Sequence, residues 1–131
     1  MSREFPTAVV LTIATGRFVC DDLSNLQDCT EYLVGEPVWT HQLPRVWGEV
    51  APWLIARHEE CRRAESNVPA LDGLLIAMKN PKRACRQWLK KLDLPETLTV
   101  EPIPKDDHTS IDPLEELQAM KPDAEVIVIR E

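Results

Sequence analysis

The sequence predicts an α+β fold, with a small sheet of three to four strands packed by four to six helices from the middle of the chain. Three observations carry this. Two β-branched-rich apolar runs, Ala8–Ile13 and Ala124–Ile129, stand towards the two ends. Between them apolar residues recur at helical spacing, punctuated by Gly, Pro and capping residues. The chain has 131 residues, 44% hydrophobic and 28% charged, which makes one domain, 1–131, able to bury roughly two thirds of its unfolded surface.

Ala8–Ile13 reads as a strand covered on both faces, because an uninterrupted apolar run has no polar side to show to water. Thr15-Gly16 is a turn, and Arg17–Cys20 is expected to return as a second strand over 17–20. A helix follows. Asp21 or Asp22 can cap it, Leu23, Leu26, Cys29, Thr30 and Leu33 form its stripe, and Gly35 before Pro37 ends it. Val46, Trp47, Val50, Leu54 and Ile55 resume helical spacing with Pro52 among them. A proline removes one ladder donor and clashes with the preceding turn, so the expectation is two helices, about 44–50 and 52–64, or one bent near Gly48–Ala51.

Glu65–Pro69 reads as a loop and Pro69–Met78 as a helix. The clearest helix starts at Asn80-Pro81 and runs to Leu92, with Ala84, Cys85, Trp88, Leu89 and Leu92 on one stripe. Thr97–Pro102 is a strand, limited by its proline. Asp112-Pro-Leu-Glu115 has the spacing of a capping box opening another helix. The run 124–129 completes the sheet.

The net charge is −7, spread unevenly as −4 over residues 1–50, +4 over 51–95 and −7 over 96–131. An acidic total argues against a generic polyanion binder, and the uneven spread reads either as segments that neutralise one another across the folded surface or as an exterior with one basic and one acidic face. No apolar run approaches the ~18 residues of a spanning helix, so no membrane is expected as a partner. Met1-Ser-Arg-Glu-Phe-Pro does not read as a secretory leader. Cys20, Cys29, Cys61 and Cys85 include no CxxC pair and read as reduced thiols, those on apolar stripes buried.

Catalytic and metal readings find little support. His58-Glu-Glu-Cys61 puts an imidazole and a thiol on one helix face, but paired zinc-ligand spacing is absent. The sequence contains no GxSxG, HExxH or phosphate-cradling glycine loop. The expectation is therefore a protein that is not an enzyme and carries no metal or cofactor, with a small metal or Cys/His site around His41, His58 and Cys61 as a distant alternative.

Two segments suit binding. Lys79, Lys82, Arg83, Arg86, Lys90 and Lys91 give the 79–91 helix six positive charges and no negative one. They would carry nucleic acid as the alternative partner, against the simpler reading of a solvated face with Trp88 in the core. Trp39-Thr-His-Gln42 crowds an aromatic, a hydroxyl, an imidazole and an amide together. Polar groups so placed usually tie a loop down by buried hydrogen bonds, with His41 donating to a backbone carbonyl. The binding reading makes Trp39 an anchor beside Thr40, His41, Gln42, Arg17 and Arg45, with Asp106, Asp107, Glu115 and Glu116 from the acidic C-terminal region.

Leu11-Thr-Ile-Ala-Thr-Gly-Arg-Phe-Val-Cys20 followed by Tyr32-Leu-Val-Gly-Glu-Pro-Val-Trp-Thr-His-Gln-Leu-Pro-Arg45 resembles a family of small uncharacterised proteins of tailed bacteriophages and prophages. The likeness lies in a TGR-x-x-C element and a G-x-P-V-W-T-H-Q-L-P element, and covers roughly residues 8–58. It implies an origin and a place of action, the host bacterial cytoplasm, rather than a mechanism. By analogy with small acidic phage proteins, it suggests an accessory protein that binds a host protein, with host defence complexes among the targets.

Overall fold

The computed structural model describes residues 2–20 and 22–120. Its elements in chain order are β1 (Arg3–Pro6), α1 (Thr7–Thr15), α2 (Leu23–Val34), α3 (Leu43–Arg57), α4 (Glu59–Ser66), α5 (Val68–Ala77), α6 (Pro81–Leu92), β2 (Thr97–Val100) and α7 (Pro113–Met120). Short 3-10 turns sit at Thr40–Gln42 and Lys105–Asp107. The class is α+β, weighted strongly towards helix. The sheet of the described residues has two strands, not the expected three to four. The expected strand at 124–129, with Asp123 and Glu125, lies outside the described residues.

The largest correction is at Ala8–Ile13, which is helix. α1 is the hub of the fold and packs on α2, α3, α4 and both strands. Val9, Val10, Leu11, Thr12, Ile13 and Ala14 are all buried. A helix enclosed on every side needs no polar stripe, so its sequence looks like that of a doubly covered strand. The β-branched residues cost some helix propensity, which burial outweighs. The hydroxyls of Thr12 and Thr15 are satisfied within the helix, donating to the carbonyls of Ala8 (2.8 Å) and Leu11 (2.7 Å). Gly16 then closes α1 at φ +73°, a left-handed position open to glycine at little cost.

Residues 17–20 form no strand. They cross to the far helices as a pinned loop, in which Val19 N–H donates to Thr12 Oγ1 at 3.2 Å. The strand beside β2 is instead β1. Arg3 pairs with Val100 and Phe5 with Leu98 in antiparallel register, and Phe5, Leu98 and Val100 point into the core.

α2 starts and stops as its sequence predicts. Asp22 Oδ1 accepts from Asn25 N–H at 3.0 Å, and Gly35 caps the end at φ +76°. Of the two alternatives for the next segment the structure takes the single helix, since α3 runs through Pro52 without a break. The carbonyl deprived of its partner belongs to Gly48, which is exposed, where water can replace the lost donor. The chain breaks later, at His58 (φ −122°, ψ 116°), and α4 begins there. The expected loop at 65–69 contracts to Asn67 between α4 and α5. α6 matches its predicted span, with Asn80 Oδ1 capping Arg83 N–H at 3.2 Å and Ala84, Cys85, Trp88 and Leu92 buried.

Candidate functional site: the turn at Trp39 and its polar bed

The 3-10 turn Thr40–Gln42 joins α2 to α3, and the segment 105–116 folds back over it. Gln42 is the hinge of this arrangement and is almost wholly buried. Its Oε1 accepts from Trp39 N–H at 3.0 Å. Its Nε2 donates to the Ile111 carbonyl and to Glu116 Oε1, each at 3.0 Å. One side-chain amide therefore fixes both the turn and the start of α7. His41 Nε2 donates to the Pro113 carbonyl at 2.9 Å, as a loop-fixing histidine would.

Arg45, one turn into α3, extends the bed. Its Nε donates to Glu116 Oε2 at 2.8 Å, and one terminal nitrogen reaches Glu49 Oε2 (3.2 Å) and the Thr109 carbonyl (3.0 Å). The Arg45 hydrogen bond is the main reason the Glu116 carboxyl sits below its ordinary value. Burial opposes that shift, and Gln42 adds to it.

Beside them His108 lies nearly buried between two carboxylates. Nδ1 is 2.7 Å from Glu49 Oε1, and Nε2 contacts Glu36 Oε2. Ser110 Oγ donates to Glu36 Oε1 at 2.9 Å, and Thr109 N–H to Glu49 Oε2 at 3.1 Å. Burial works against ionisation of Glu36, but the hydrogen bonds from His108 and Ser110 outweigh it and hold its carboxyl below the ordinary value. Among the described residues no buried side-chain polar atom lacks a partner. The bonds of Gln42, His41, Arg45 and His108 all run to acceptors of the chain itself and hold 105–116 against α2 and α3.

What stands above this bed is Trp39. It is 49% exposed, and its ring meets His41 edge-on at 5.9 Å. Thr40 is exposed beside it. Leu114, 38% exposed, follows the Pro113 that His41 grips, and Asp112 and Glu115 are exposed on either side of it in sequence. An indole fixed by its own backbone and its neighbour's ring gives up little freedom when it is covered, which suits an anchor.

The remaining sequence-chosen residues divide clearly. Gln42 and Glu116 are buried and Arg45 is committed to two carboxylates, so these three support the surface from below. Arg17 is elsewhere, paired through Nε and a terminal nitrogen with Asp72 of α5 at 3.1 and 3.2 Å. Asp106 is exposed on the turn that also holds Asp107. Lys79, Lys82, Arg83, Arg86, Lys90 and Lys91 are exposed along or just before α6, while Trp88 is in the core with its indole N–H donating to the Asn67 carbonyl at 2.9 Å.

His41, His58 and Cys61 do not converge on one another. His58 is the joint between α3 and α4. Burial pushes the Cys61 thiol up to about 12, and Cys29 likewise. Among the described residues, no three His, Cys, Asp or Glu side chains are grouped to hold a metal ion. Sequence reasoning missed Glu36, Glu49, His108 and Ser110. Glu36 and Glu49 stand alone among other residue types, and His108 and Ser110 sit in the polar run Lys105–Ser110, so no local spacing marks the four as a group.

A family model described as a domain of unknown function (DUF7736) matches residues 5–64, from β1 to α4. That stretch contains both Thr15–Cys20 and Trp39–Gln42. No curated protein and no solved structure matches the chain. No helix among the described residues is long and apolar enough to cross a membrane.

Proposed function

We propose that this chain is an accessory protein of a bacteriophage or prophage that acts by binding a host protein, with host defence complexes as the favoured class of target. Its Trp39 surface makes the contact. The observation that carries this reading is the half-exposed Trp39 held on a fully partnered polar bed. Maintaining a large aromatic in water, with Gln42, His41 and Glu116 spent on positioning it, suits an anchor that fills a pocket on a partner. The exposed Asp112 and Glu115 flank the Pro113 to which His41 is bonded and make this segment acidic, which suits a partner whose pocket is bordered by Lys or Arg. Phage origin rests on the sequence likeness over residues 8–58, and the choice of a host protein as partner rests on that origin.

The test is capture from lysate of the bacterial host with tagged wild-type chain, Trp39→Ala, and an Asp112→Lys/Glu115→Lys double variant. The wild-type chain retains one partner in equal stoichiometry. Trp39→Ala retains about tenfold less or weaker still, as truncating an anchor does, and the double variant loses retention at low salt. Recovery of the wild-type chain alone, or full retention by Trp39→Ala, overturns the reading.

A further inference from the structure

Two thiols stand where the loop after α1 meets α6. All four cysteines are free, and they divide by access. Cys29 and Cys61 are sealed in the core at 0% exposure. Cys20 is half-buried, Cys85 is 8% exposed, and both line one open cavity of about 470 Å³. Residues 18–20 form one wall of that cavity, and the start of α6, with Cys85 in it, forms the other. The walls meet at a sulfur. Cys85 Sγ donates to the Phe18 carbonyl at 3.5 Å, two residues before Cys20. Consecutive Cα atoms are about 3.8 Å apart, so the contact keeps Cys20 within short reach of Cys85. Burial raises the Cys85 thiol, and the nearness of Cys20 raises it further.

The Cys20 sulfur lies 3.5 Å from Thr12 Oγ1, a weak contact that a turn about its Cα–Cβ bond gives up at little cost. Charges of both signs stand nearby, since Lys82 and Arg86 line the cavity and Asp21-Asp22 follow Cys20 in the chain. What singles out the two thiols is their shared cavity, not the local field. We infer that Cys20 and Cys85 are a peroxide-sensitive thiol pair that closes to a disulfide and staples the loop after α1 to α6. Cys20, the more open of the two, reacts first. Its sulfur takes one oxygen from hydrogen peroxide, giving a sulfenic acid, and the other oxygen leaves as water. The Cys85 sulfur then attacks that of Cys20. The S–S bond forms, the S–O bond breaks, and the departing hydroxide takes the Cys85 proton as a second water. The two thiols give up two electrons in all, and the peroxide accepts them. A disulfide wants its Cα atoms about 4.4–6.8 Å apart, so closure settles Cys20 onto α6 and narrows the cavity. The pair does not depend on the Trp39 surface.

The experiment treats the dilute full chain with a small excess of hydrogen peroxide, blocks the remaining thiols after unfolding, and maps peptides without reductant. Wild type is compared with Cys20→Ser and Cys85→Ser, each checked for folding by circular dichroism. The wild-type map is expected to show a peptide joining Cys20 to Cys85, parted by dithiothreitol, with Cys29 and Cys61 still reduced. Cys20→Ser should form no bridge. In Cys85→Ser, Cys20 should instead advance to the sulfinic acid, because no second thiol traps the sulfenic acid. A wild-type chain whose Cys20 gains oxygen without a bridge overturns the pair. So does a bridge from Cys20 to Cys29, a bridge between two chains, or a wild-type map in which Cys20 and Cys85 both stay reduced. The wild-type map decides by itself should Cys85→Ser fail to fold.

Discussion

Arg45 and Glu116 lie 71 residues apart in the chain and 2.8 Å apart in space, where a guanidinium of α3 holds the carboxylate of α7. Glu116 is almost buried, and Gln42 donates to its other oxygen. This pair is the lock between the C-terminal segment and the helical body.

The lock should be sensitive to acid. The Glu116 and Glu36 carboxyls both sit below their ordinary value in the folded protein. A depressed carboxyl contributes stability that is present above its unfolded pKa and lost as pH falls through the folded one. Stability should therefore decline from about pH 5 downward. Glu116→Gln should be less stable at neutral pH and show a flatter acid decline. Urea midpoints across that range measure both effects, and an acid decline as steep as wild type would count against the lock.

His108 joins Glu36 and Glu49 through its two ring nitrogens. His108→Ala should cost about 1–3 kcal/mol, because two half-buried carboxylates lose their partner. It should also raise amide exchange at Thr109 and Ser110, which lean on the same two acids. Hydrogen exchange read by mass spectrometry checks this, and unchanged protection across 105–111 would contradict it.

In the core, Trp47 Nε1 donates to Thr30 Oγ1 at 3.0 Å, with both residues buried. Thr30→Val keeps the shape but strands the indole N–H, at a cost of about 1–3 kcal/mol. In a double-mutant cycle with Trp47→Phe, the two losses should fall short of additivity, because the second change removes the stranded donor.

The four cysteines should label in a fixed order. Burial pushes the Cys29 and Cys61 thiols up to about 12 and raises that of Cys85 as well. All three are buried, and Cys20 is half-buried in the loop after α1. Iodoacetamide should modify Cys20 first in the native protein and reach Cys29 and Cys61 only after unfolding, as peptide mass mapping would show.

Much of the helical body is legible in the sequence, and the reasons are local. α6 has a cap at Asn80, a proline in its first turn and a one-sided stripe, so its amphipathic position writes its own boundaries. α1 is illegible for the opposite reason, since burial on all sides erases the period that distinguishes helix from strand. β1 escapes notice because four residues with one buried apolar side chain, Phe5, make no pattern until β2 stands beside them. In the site, the density of polar types at Trp39–Gln42 marks the turn and the inward role of His41. Glu36, Glu49 and His108 become a unit only through contacts spanning 59 and 72 residues, which no local spacing encodes.

On the proposed reading, Trp39 and its neighbours are the face presented to a partner. The most direct measurement places a benzoylphenylalanine photocrosslinker at Thr40, and as a control at exposed Glu65 of α4, in chains expressed within the bacterial host. Irradiation should yield one crosslinked host protein from position 40 and none from position 65. No adduct from position 40, or the same adducts from both positions, would contradict the claim.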